Sequence, residues 1–220
     1  VKATLGNDLI DFRANHNRGR GEQPRMLARV LTASERAQLA DEGTGDVGFA
    51  LLWSAKEAAY KAAKKIQPAL VFAPGRWQVD CADLALGGRS KHGAVIIADH
   101  PPIAVSWQHH AHWLHCIAVL GSIPPPIDSA VLALADCAPT AAFSERERDS
   151  FSREQSAAVR TLAKRLLAQR GIGDSEIVRE RVGRNLMPPR VFSNGVARGD
   201  IQLSLSHDGD YVAAAIAIEV

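Results

Sequence analysis

At 220 residues, 46% hydrophobic and 23% charged, the chain has an ordinary globular composition, long enough for one large core or two small ones. A net charge of only +2 gives no ground for a nucleic-acid partner, and no apolar run approaches the about 18 residues of a membrane span. Three scattered cysteines (Cys81, Cys116, Cys137) and no signal-peptide pattern argue for a reducing cytoplasm over a disulfide framework.

Residues Val1–Phe12 read as a strand, with Gly6 allowing a close backbone approach and Asp8 and Asp11 following it. A basic loop from Arg13 to Arg25 carries Arg13, Arg18, Arg20 and Arg25; a solvated connector and a phosphate contact are both open for it. A helix is expected near Thr32 or Ser34, capped ahead of Glu35, and then a Gly-rich turn over Asp41–Gly48. From Phe49 to Ile66 neither Gly nor Pro occurs, and Ala55, Ala58, Ala59, Ala62 and Ile66 form an apolar stripe, so this stretch predicts a helix. Trp53, Glu57 and Lys61 then stand at successive turns of one face. An isolated Glu–Lys pair at that spacing is usually a surface pair, but here an aromatic, a hydroxyl and a second lysine crowd the same turns.

Short β-rich runs follow at Leu70–Phe72, Trp77–Val79, Ala94–Ala98, Ile103–Trp107 and Trp113–Leu120. Ser122-Ile123-Pro124-Pro125-Pro126 reads as a stiff linker, dividing a half at residues 1–121 from one at 128–220, with 122–127 between. The second half predicts a strand at Val131–Ala135, helices at Ser144–Phe151 and Arg153–Arg170, and closing strands over Ile201–Val220. The halves match in three places: Ser34-Glu35-Arg36 with Ser144-Glu145-Arg146, the Ser54 helix with the Ser156 helix, and Val105–Leu114 with Leu203–Val212. Three matches in one order suggest a duplicated α+β unit. On this alignment Glu57 falls opposite Val159 and Lys61 opposite Ala163, so only the first half keeps the carboxylate and the lysine.

Gly6-Asn7-Asp8-Leu9-Ile10-Asp11, Trp53-Ser54-Ala55-Lys56-Glu57-Ala58-Ala59-Tyr60-Lys61 and Leu203-Ser204-Leu205-Ser206-His207 together resemble the three signatures of the 4′-phosphopantetheinyl transferases. The resemblance implies an α+β fold with the duplicated unit as an intramolecular pseudo-dimer, monomeric, of the two-halved type serving fatty-acid, polyketide or nonribosomal-peptide synthesis. It departs from that type in order, since the Ser-x-Ser-His half comes last here, and Asp11 stands where the short type has Glu. The implied reaction moves 4′-phosphopantetheine from coenzyme A to a serine of an acyl or peptidyl carrier protein, with Mg²⁺, releasing 3′,5′-ADP.

Attack on a pyrophosphate suits a hard divalent cation held by one or two carboxylates. Asp8 and Glu57 are the expected metal ligands, with Asp11 a third; Glu57 also suits a general base, and Lys61 a phosphate contact or proton donor. The resemblance assigns His207 a coenzyme phosphate, and Ser206, Lys56, Arg13, Arg184 and Arg190 are further candidates for coenzyme binding. One rival reading is a non-catalytic module binding coenzyme A or a carrier protein. Another is a zinc hydrolase built on His109, His110, His112 and His115 beside Cys116.

Overall fold

The computed structural model describes residues 3–86, 90–98, 100–121, 126–137, 143–183 and 185–219. The chain separates into two compact units, Val1–Ser122 and Ile123–Val220. Of the expected linker, Ser122–Pro125 lies outside the described residues.

In the first unit, strand β1 (Thr4–Asp11) leads through two 3₁₀ turns to helices α1 (Pro24–Val30), α2 (Ala33–Glu42) and α3 (Gly45–Ile66). Strands β2 (Gln78–Asp80), β3 (Ser90–Ile96), β4 (Ile103–His110) and β5 (Trp113–Leu120) follow. They form an antiparallel sheet in the order β1-β5-β4-β3-β2, which leaves β1 at an edge. The alanine stripe of α3 (Ala55, Ala58, Ala59, Ala62, Ala63) is fully buried in one core with Val95, Val105, Trp107, Cys116 and Ala118. Small side chains bring helix and strand so close that a Cβ on Gly6 would sit 2.0 Å from the Ala58 carbonyl oxygen. Ser54 of the tryptophan motif is part of this core, donating to the Leu51 carbonyl at 3.1 Å and accepting from the Trp107 indole at 3.2 Å.

Several expected boundaries move. The turn expected over Asp41–Gly48 shrinks to Gly43 and Thr44, because α2 runs to Glu42 and α3 begins at Gly45. Leu70–Phe72 forms no strand; Phe72 packs on Trp53, Tyr60 and Trp77, so its apolar run serves a side-chain cluster. The basic loop is built of 3₁₀ turns at Asn15–Asn17 and Arg20–Glu22, and its Gly19 and Gly21 amides donate to the Asp46 carboxylate at the start of α3 (2.6 and 2.7 Å).

The second unit comprises β6 (Asp128–Ala133), α4 (Glu145–Arg148), α5 (Glu154–Gln169), β7 (Glu176–Val178), β8 (Arg181–Val182) and β9 (Asn185–Leu186). It ends with β10 (Arg190–Ser193), β11 (Val196–Ala197), β12 (Ile201–Asp208) and β13 (Tyr211–Ile218). Its sheets run β12-β13-β6, β11-β10-β7 and β8-β9. The helix expected over Ser144–Phe151 is only the single turn of α4, and the first strand ends at Ala133 in a 3₁₀ turn.

One buried device occurs in both units. Thr32 and Glu35 form a capping box at α2; the Glu35 carboxylate also accepts from the Val79 amide at 2.8 Å and from Lys56 Nζ at 2.5 Å. Ser144 and Glu147 repeat the box at α4, and Glu147 accepts from the Ile177 amide and from Lys164 Nζ, both at 2.8 Å. Each carboxylate thus ties a helix start, a core helix and a strand together. The closing hairpins also agree in register: His207 pairs with Val212 as His109 pairs with Leu114. The helices match with a shift of two from the sequence alignment. Val159 and Ala163 are core residues, whereas Glu57 and Lys61 are only half-buried. The core pairs Ala58–Ala59 and Ala62–Ala63 coincide with Leu162–Ala163 and Leu166–Leu167, which puts Thr161 and Arg165 in the places of Glu57 and Lys61. The second unit still lacks the carboxylate.

Candidate active site

The side chain of Asp8 on β1 meets the Glu57–Lys61 face of α3. Lys61 Nζ donates to Asp8 Oδ1 at 2.8 Å and to the Asn7 carbonyl at 2.9 Å. Glu57 holds its proton up to about 7, against an ordinary 4.5: burial disfavours its charge, Asp8 repels it, and Lys61 partly offsets both. These three expected catalytic groups are therefore one electrostatic cluster.

Glu57 opens on a groove of about 470 Å³ lined by Trp53, Phe72, Arg20, Arg29 and Arg76 and by the turn from Ala73 to Gly75. Its aromatic wall is a packed cluster, with Phe72 edge-on to Trp53 at 5.7 Å and to Trp77 at 5.3 Å. None of the three arginines forms an ion pair with another described residue. A groove lined by one carboxylate and three arginines suits an anionic ligand carrying a cation. The sequence reading named Arg20 among the loop arginines and missed Arg29 and Arg76. Their signal was too weak to find, since each is a lone arginine at the end of a short element.

The remaining expected site residues are placed as follows. Asp11 is three residues from Asp8, so strand alternation sends its side chain to the opposite face, where Oδ1 accepts from the Arg13 amide at 2.8 Å. It caps the turn after β1, with the Arg13 side chain beside it at 3.8 Å. Lys56 is fully buried and spends its three protons on Glu35, the Val30 carbonyl and the Pro74 carbonyl. That geometry makes Lys56 a core strut whose three protons are already taken. In the second unit, Ser206 is buried and His207 half-buried near the end of β12. Arg190 stands on β10, 3.4 Å from Glu180 and over the Phe192 ring. Arg184 lies outside the described residues.

Of the histidine cluster, His110 and His112 meet edge to face with ring centres 6.0 Å apart. His110 stacks on Trp113, His112 lies beyond the end of β4, and His115 is buried with Nε2 3.0 Å from Asn7 Nδ2. Among the described residues no group of three His, Cys, Asp or Glu is placed to hold a metal ion. Of the three expected carboxylates, Asp8 and Glu57 come together as a pair. No helix of the described residues is long and apolar enough to cross a membrane.

Glu57 makes metal-free stability depend on pH. Its folded value of about 7 lies above the ordinary 4.5, so the protonated form contributes stability that is complete below pH 4.5 and is lost as pH rises through 7. The melting temperature without divalent cations is expected to fall across that window, and Glu57→Gln is expected to flatten the fall. Thermal unfolding followed by circular dichroism from pH 5 to 8 checks this; parallel profiles for the two proteins would refute it.

The architecture and the site define an α+β protein whose first unit carries paired carboxylates, a clamped lysine and an arginine-lined groove. Residues 4–93, which hold the Asp8 and Trp53–Lys61 motifs, match the model of the 4′-phosphopantetheinyl transferase superfamily. That superfamily consists of transferases acting on coenzyme A and carrier proteins. A comparison with curated proteins gave no match.

Proposed function

We propose that the chain transfers 4′-phosphopantetheine from coenzyme A to a serine hydroxyl of a carrier protein, with Mg²⁺, releasing 3′,5′-ADP. The observation that carries this reading is the Asp8–Glu57–Lys61 cluster at the groove lined by Arg20, Arg29 and Arg76. The donor set fits a hard divalent cation. Burial first and the nearby Asp8 second keep Glu57 protonated up to about 7; a cation relieves the Asp8 repulsion, and Mg²⁺ typically takes one or two protein carboxylates with phosphate and water. Asp8 and Glu57 would hold the ion, which when bound neutralises pyrophosphate charge.

The chain's own groups then divide the work. Glu57 accepts the proton of the incoming serine, whose oxygen forms the new bond to the phosphorus bearing the pantetheine arm. The bond from that phosphorus to the bridging oxygen breaks, and 3′,5′-ADP leaves with the electron pair. Lys61 steadies a phosphate oxygen while holding Asp8 in place, and the arginines orient the anionic coenzyme. The direct test is the intact mass of an apo carrier protein after incubation with this protein, coenzyme A and Mg²⁺. A gain of one phosphopantetheinyl group supports the reading. Coenzyme binding without any mass gain, across a panel of carriers, would favour the non-catalytic module.

His207, on the second unit, belongs in this reading to the coenzyme site. His207→Ala is expected to raise KM for coenzyme A about tenfold with little change in kcat, since a distal phosphate contact acts alike on ground and transition states. With dephospho-coenzyme A the loss should largely vanish if the contact is to the 3′-phosphate. Equal losses with both substrates would move His207 off that phosphate.

A further inference from the structure

Arg20 stands between two glycines, and one carboxylate holds both of them. Asp46, in the first turn of α3, accepts from the Gly19 amide through Oδ2 at 2.6 Å and from the Gly21 amide through Oδ1 at 2.7 Å. Gly19 is left-handed, with φ 69°, a conformation that lets neighbouring amides converge on one anion. Gly21 lies against the start of the helix, where a Cβ would come within 2.3 Å of the Gly45 backbone. The loop backbone therefore rests on the helix backbone, and Arg20 falls at the contact. Arg20 lines the Glu57 groove and also an adjoining cavity of about 440 Å³ walled by Ile10, Phe12, Val47 and Phe49; Trp53 is the other residue lining both.

An aspartate in a first turn ordinarily serves its own helix, by its charge or as a cap. Here the charge still favours α3, but both oxygens bond outward to the loop. The helix's own cap is left unmade: Thr44 stands at the N-cap position with no capping bond, and its buried Oγ1 has no hydrogen-bond partner. A carboxylate kept only for helix stability needs neither the two loop amides nor the two glycines that bring them within reach.

We propose that Asp46 is a positioning residue: by clasping the amides on both sides of Arg20 it holds that arginine in the wall of the Glu57 groove, ready for the anionic coenzyme. The proposal rests on the reading of the groove's arginines as the coenzyme's anchor. Both bonds go to backbone, which leaves the Arg20 side chain for a phosphate, and being charge-assisted they are stronger than neutral ones. Asn17, three residues earlier, ties the loop to the end of β1 through Nδ2 and the Asp11 carbonyl at 2.9 Å, and Asp46 ties it again at Arg20.

Coenzyme A affinity is measured by titration calorimetry with Mg²⁺ for the full-length protein, Asp46→Ala, Arg20→Ala and the double variant. Deuterium exchange is read on the peptide spanning Arg13 to Arg25. Arg20→Ala is expected to weaken coenzyme A about tenfold and Asp46→Ala about fivefold, with the double variant no weaker than Arg20→Ala, because Asp46 acts through Arg20. Exchange of the loop peptide should quicken about tenfold in Asp46→Ala and stay at the parent rate in Arg20→Ala. Asp46→Asn, which keeps one acceptor oxygen, should fall between. Parent-like affinity in Asp46→Ala would overturn the proposal, as would losses that multiply in the double variant, the mark of a merely structural effect. If Asp46→Ala does not fold, Asp46→Asn, alone and with Arg20→Ala, is read for the same two quantities. If the unmutated protein binds coenzyme A but transfers nothing, the proposed function falls and the affinities still decide the clasp. If it binds no coenzyme A, the coenzyme reading of the groove and the proposal built on it are both overturned.

Discussion

Glu57→Gln is expected to lower transfer about 10³-fold, within the range for losing a general base, while the protein stays folded. The substitution keeps the side chain's size and removes the charge that a cation and a serine proton both require. Because charged Glu57 is costly in this half-buried site, the variant should be at least as stable as the parent above pH 7 without metal. Coenzyme affinity should change little, since the arginines of the groove are untouched. The decisive readout is single-turnover transfer followed by intact mass, with a melting curve of the same sample. Parent-like turnover by a folded Glu57→Gln protein would remove Glu57 from the chemistry and leave it a half-buried neighbour of Asp8.

The largest effect on stability is expected at Lys56. Lys56→Met strands the Glu35 carboxylate in the core, and breaking a buried pair from one side costs about 3–5 kcal/mol. The Thr32 and Val79 amides still donate to Glu35, so the lower end of that range is expected. In melting temperature this is a fall of about 6–12 °C. Lys56→Met combined with Glu35→Gln should recover part of the loss, because no charge is then left unpaired. The repeated device supplies an internal control. Lys164 pairs with Glu147 in the same way, but its side chain is 13% exposed where that of Lys56 is 0%. Water reaches that pair, and Lys164→Met should cost less, about 1–2 kcal/mol. Equal costs at the two positions would contradict a difference set by solvent access.

Much of the site was legible from residue order. A helix rich in alanine and free of Gly and Pro from Phe49 to Ile66 places Glu57 and Lys61 one turn apart whatever surrounds it, because that spacing is local geometry. A helix start at Thr32 or Ser34, ahead of Glu35, was readable for the same reason, since caps are set by a few neighbouring residues. Whether a polar side chain faces a groove or the core is not local. Lys56 and Lys61 look interchangeable in the motif, yet Glu35, 21 residues away, draws Lys56 inward, while Asp8 on β1 holds Lys61 at the site. Asp8 and Asp11 likewise look like one acidic pair until the two-residue alternation of β1 separates them. Arg29 and Arg76 come to the same groove because one end of α1 and the turn before β2 meet beside α3, and neither arginine sits in a pattern of its own. Local periodicity determined the helix and the face that carries Glu57 and Lys61. Burial and long-range pairing, which depend on every packed neighbour at once, decided which charges serve the core and which serve the groove.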